Sequence, residues 1–90
     1  MIKSEPQRDL YRKALLVQLE SIYPQPCSFA ELNLDMHAIG YKGTDEQDVL
    51  RECSAMAEET PPLVLMVKAQ LNKSIAKVRA TEAGCVIARS

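Results

Sequence analysis

The chain has 90 residues, 47% hydrophobic and 26% charged, with a net charge of −1. That length suits one domain over residues 1–90 that buries a modest core without disulfides or metal, and the apolar share excludes a disordered or collagen-like chain. The charge is unevenly spread: residues 24–67 carry two basic and eight acidic side chains, whereas residues 68–90 carry five basic and one acidic.

The first helix is predicted to start at Ser4, where S-E-P-Q combines a capping serine with a proline in the first turn. Leu10, Ala14, Leu15, Val17, Leu19 and Ile22 recur at helical spacing and are its expected apolar face, leaving Arg8, Arg12, Lys13 and Gln18 on the other side. Tyr23-Pro24-Gln25-Pro26 ends it. Ser28-Phe29-Ala30-Glu31 is a second capping box, and the short helix it opens runs through Leu32, Met36 and Ile39 to Gly40, a suitable residue just past a helix end. A turn through Tyr41-Lys42-Gly43 leads to Thr44-Asp45-Glu46-Gln47, read as a third cap, and so to a helix-turn-helix pattern.

In the third helix Val49, Leu50, Cys53, Met56 and Ala57 form one stripe. Pro61-Pro62 forbids continuation and delivers an extended chain. The following segment reads as a hairpin whose turn centres between Leu71 and Asn72. Leu63, Leu65 and Val67 then face Ala80, Val78 and Ala76, Val64 and Met66 lie on the solvent side, and a loop spans Gln70 to Lys73. Thr81 is expected to cap a last short helical turn from Glu82 to Ala88.

This order of helix, short extended piece, helix, turn, helix and hairpin resembles the winged helix-turn-helix superfamily over nearly the whole chain. Local echoes are SFAEL opening the second helix and VRATEAG closing the second wing strand, which looks like the L-T-x-x-G that often ends a bacterial wing. The small size looks most like the compact winged-helix proteins of Mu-like prophages. The resemblance implies an α+β fold of three helices, a C-terminal two-stranded wing and a short C-terminal helical turn. It also implies a bacterial or phage regulator of transcription that binds double-stranded DNA. Its third helix would enter the major groove while its wing touches phosphate or the minor groove.

Carried onto this sequence, the reading positions are Thr44, Gln47, Asp48 and Arg51, with Lys42 before them. Gln47 and Arg51 are side-chain types that read adenine and guanine bidentately. The same residues also suit a solvated helix face on which Arg51 pairs with Asp48 or Gln47. Lys68, Lys73, Lys77 and Arg79 are the wing's candidate phosphate contacts, with Lys73 at its tip the best single one; Lys68 and Lys77 equally suit a ribbon edge that discourages aggregation. Asp45, Glu46, Asp48, Glu52, Glu58 and Glu59 against the single Arg51 make the third helix and its exit acidic, which opposes entry into phosphate-lined space. A second reading follows: a protein-interaction module or adaptor whose acidic helix meets a basic partner. Homodimerisation suits either reading, through aliphatic residues to spare on the first helix.

No catalytic constellation, phosphate-cradling glycine loop or metalloprotease motif occurs, so a non-enzyme without cofactor or metal is expected. Cys27, Cys53 and Cys85 are odd in number and show no C-x-x-C, which favours reduced thiols over a disulfide framework or a zinc site. A Cys27/His37 pair lacks the further ligands of structural zinc, and His37 reads as a surface or half-buried side chain. No apolar run approaches the roughly 20 residues of a membrane span. The N-terminal MIKSEPQRD has no secretory core, so a cytoplasmic protein with no membrane partner is expected.

Overall fold

The computed structural model describes residues 5–68 and 76–90. Ser4 and the Gln70–Lys73 loop lie outside them. The elements run α1 (Glu5–Glu20), β1 (Cys27–Ser28), α2 (Phe29–Ala38), α3 (Glu46–Ala57), β2 (Val64–Lys68), β3 (Ala76–Ala80) and α4 (Glu82–Arg89). The three strands form one antiparallel sheet in the order β1-β3-β2. The α+β class is as expected, but the C-terminal segment is a full helix of eight residues and the hairpin gains a third strand.

Local chemistry explains the element ends. Ser28 caps α2, its hydroxyl oxygen accepting from Glu31 N at 3.2 Å, and Gly40 past its end takes φ +117°, a value that favours glycine. The cap of α3 is Asp45, one residue beyond the expected Thr44. Asp45 accepts from Asp48 N at 3.0 Å, and Asp48 accepts from Asp45 N at 3.1 Å. Thr81 caps α4, accepting from Gly84 N at 3.1 Å while its hydroxyl donates to Pro62 O at 2.6 Å.

The core gathers Tyr11, Leu15, Leu16 and Leu19 of α1, Leu32 and Met36 of α2, and Val49, Cys53 and Met56 of α3. Cys27, Val64, Val78, Ala80 and Cys85 complete it from the sheet and α4. The buried face of α1 is rotated from the expected one: Leu10, Val17 and Ile22 are exposed, while Tyr11 and Leu16 are buried. Tyr11 turns inward because its ring meets Tyr41 edge-on, with centroids 5.1 Å apart.

The hairpin register also differs by one residue. Val64 pairs with Ala80, Met66 with Val78 and Val67 with Lys77, so β2 turns over relative to expectation: Val64 is buried and Leu65 and Val67 face outward. The segment LVLMV is apolar on both faces, so its pattern does not choose. The base of the hairpin does, because Leu63 N donates to Met56 O at 3.0 Å and Leu63 O accepts from Thr81 N at 3.1 Å.

Two predictions follow from this core. A Cβ at position 84 would overlap the Leu63 carbonyl oxygen and press on Leu16 Cδ2. Gly84→Ala should therefore lower the unfolding free energy by about 1–3 kcal/mol, read as a reduced urea midpoint at unchanged slope. Burial raises the Tyr11 hydroxyl above its usual 10.0, and burial also pushes the thiols of Cys27 and Cys53 from 9.0 to about 11 and about 12. All three are neutral when protonated, so their stabilising effect is complete below the unfolded-state values and is lost as pH rises through the folded-state values. Thermal melts should hold steady from neutral pH to about 9 and then fall progressively.

Candidate nucleic-acid interface

The side chain that defines the surface of α3 points inward. Glu52 lies on the buried stripe with Val49, Cys53 and Met56 and is 2% exposed. Two arginines of α1 hold its carboxylate: Arg8 Nε at 3.2 and 3.1 Å from the two oxygens, and Arg12 Nε at 2.6 Å from Oε1. Arg8 and Arg12 stand one helical turn apart, which puts both on the α1 face that meets α3. The expected apolar position Leu50 is half exposed instead. Sequence reasoning missed this triad, although an acidic residue within the apolar spacing of α3 and a matching arginine pair on α1 were its visible signals.

Two acids at the start of α3 are engaged as well. Asp45 and Asp48 form the reciprocal cap, and the Asp48 N–H holds the Asp45 carboxyl below its ordinary value. Arg51 donates from Nη1 to Asp48 Oδ1 at 3.2 Å. This pair is exposed and worth only about 0–1 kcal/mol, so a bound phosphate or base edge can compete with it.

Of the predicted residues, Lys42, Gln47 and Arg51 are exposed around the entry to α3. Gln47 and Arg51 sit one turn apart on the same face of that helix. Lys42 lines a cleft of about 280 Å³ with Gln7, Leu10, Gly40, Tyr41, Gly43 and Thr44.

Thr44 corrects the expectation. It is 6% exposed, its hydroxyl donates to Tyr41 O at 3.1 Å, and its carbonyl lies 2.6 Å from His37 Nε2. Since a carbonyl only accepts, Nε2 carries the proton, and half-buried His37 ties the end of α2 to the residue before the α3 cap. Thr44 also lies beside the Tyr11 hydroxyl and slightly opposes the rise in its pKa. No partner among the described residues meets that hydroxyl at hydrogen-bonding geometry. Thr44 is thus a structural residue of the turn.

Lys77 and Arg79 occupy the outward face of the sheet, opposite Val67 and Leu65 respectively; half-buried Arg79 also donates to Ala80 O at 3.3 Å. Lys73 lies outside the described residues. Among the described residues no group of three or more His, Cys, Asp or Glu is placed to hold a metal ion, and no helix is long and apolar enough to cross a membrane.

No family model and no curated protein matches the sequence. Among solved structures the chain is similar to the apo form of a double mutant of Lactococcus lactis ZitR, with a TM-score of 0.66 and 14% identity over 93% of this chain and 55% of that one. A second structure of that ZitR mutant gives a TM-score of 0.64 and 14% identity over 99% and 56%. The chain shares its fold with these structures, and its helices and three-stranded sheet are compatible with a winged helix. The chain spans about half the length of the structures it matches, and identity this low carries the fold alone.

Glu52 ties α1 to α3, and the triad yields a prediction. Glu52→Gln should destabilise the chain by about 2–3 kcal/mol in urea unfolding, below the 3–5 kcal/mol of a fully buried pair because both arginines are partly exposed. Asp48→Asn, on the exposed pair, should change stability by less than about 1 kcal/mol apart from its share in the cap.

Proposed function

We propose that this chain is a regulator-like winged-helix protein that binds double-stranded DNA, with the N-terminal half of α3 in the major groove. The observation that carries this reading is the inward, doubly paired Glu52. It removes a charge from the outer side of an otherwise acidic helix and leaves Lys42, Gln47 and Arg51 accessible at its entry, beside the exposed Asp45 and Glu46. In this reading Gln47 and Arg51 read base edges, Lys42 meets phosphate, and Lys73 extends the contact to the wing loop. Lys77 and Arg79, on the outer sheet face, are not needed for it.

The local motif behind the bacterial likeness has a physical basis here. In VRATEAG, Thr81 caps α4 and Gly84 lets that helix approach the Leu63 carbonyl, so the segment sets the base of the wing and contacts no DNA in this reading. The narrower kinship with prophage proteins rests on size and these local segments.

With so few cations and acids nearby, binding should be weak and salt-sensitive, with a slope of about −0.9 in log K against log salt per phosphate contacted. Fluorescence anisotropy with mixed duplex DNA at roughly 50 mM salt should show binding below about 100 µM. Lys42→Ala should reduce the salt slope by about 1, and Gln47→Ala with Arg51→Ala should weaken binding at least about tenfold. No binding at that concentration, or binding untouched by these three substitutions, would sink the proposal.

A further inference from the structure

We propose that the outer face of the sheet and the adjoining outer face of α2 form one self-complementary surface through which two copies of this chain pair. This goes beyond the DNA reading and stands without it. Across the sheet Val67 faces Lys77, and Lys77 in turn faces Ser28. Paired residues share a face, and the neighbouring row of Met66, Val78 and Cys27 lies on the core side, so Val67, Lys77 and Ser28 all lie outward. Ser28 Oγ then donates to Glu31 Oε1 at 3.0 Å, which carries the row without a break into the first turn of α2.

The two halves of this surface differ in one respect. The sheet half carries Leu65, 40% exposed, and Val67, 37% exposed, beside the cations Lys77 and Arg79. The α2 half carries Leu34, 66% exposed, between the exposed acids Glu31 and Asp35. A two-fold axis near their boundary lays each half on the opposite half of the second copy, so that basic meets acidic and aliphatic meets aliphatic at both ends. An exposed apolar groove elsewhere, between α1 and Ile39, is lined by Leu10, Lys13, Ala14, Val17 and Gln18. It has no acidic side chain to answer Lys13, and nothing there designates an occupant.

Strands about 4.8 Å apart, a rise of about 3.3 Å per residue and a ten-residue helix give a footprint on the order of 400 Å² per copy. That is roughly half of a standard interface, so the dimer is weak and salt-sensitive.

Sedimentation equilibrium of the full chain over roughly 10 µM to 1 mM, at about 50 and 500 mM NaCl, tests it. The expected result is a monomer–dimer equilibrium weakened at least about fivefold by the higher salt. Lys77→Glu with Arg79→Glu, and separately Glu31→Lys with Asp35→Lys, should each remain monomeric. A one-to-one mixture of these two variants should associate again, because opposite charges then meet at both contacts. Leu34→Ala, at an exposed site that leaves the fold intact, should weaken the dimer at least about threefold at an unchanged melting temperature. A monomer throughout the range, a mixture of folded variants that fails to associate, or association lost in Leu10→Asp but kept in Leu34→Ala would each overturn the proposal.

Discussion

Glu52 joins two arginines of α1 across the buried contact between α1 and α3. A carboxylate taken out of water is tolerated only when paired and hydrogen-bonded, so this position cannot change alone. Its geometry fixes the rotation of α3. With Glu52 held inward beside Val49, Cys53 and Met56, Leu50 and Arg51 turn toward solvent and Gln47 shares the Arg51 face. The accessible chemistry of α3 is in this sense set from behind, by a buried residue.

A second polar cluster sets where α3 begins. His37 and Tyr41 satisfy the carbonyl and hydroxyl of Thr44, and Tyr41 is braced by Tyr11 from α1. Thr44 is buried immediately before the Asp45 cap, so the turn is held by side chains of α1 and α2 and does not hang free. The triad and this cluster act at different points of α3, one behind its middle and one before its first turn. Together they define the position of the helix more closely than apolar packing, which is non-directional.

The hairpin illustrates a constraint of another kind. Its two strands offer apolar side chains on both faces of β2, and a one-residue slip exchanges the faces. The bonds of Leu63 to Met56 and Thr81 choose the register at the base. That choice places Leu65 and Val67 on the outer face with Lys77 and Arg79. An amphipathic outer surface thereby arises from backbone bonds at its foot.

Local signals in the sequence determined the caps at Ser28 and Thr81, the glycine after α2, the order of elements and the core side of β3, because each depends on residues within a few positions of one another. The α+β class was legible for the same reason. Of the candidate site, Lys42, Gln47 and Arg51 were legible as exposed residues flanking a capped helix. Only the tertiary structure decided that Thr44 is buried, that α1 presents Tyr11 and Leu16 inward, and that β2 faces the other way. It alone decided that Glu52 is neutralised from a distance of 40 and 44 residues along the chain. An apolar stripe or a charge count is indifferent to which neighbour arrives, and only the packed partner supplies the hydrogen bonds that choose among faces of nearly equal hydrophobicity.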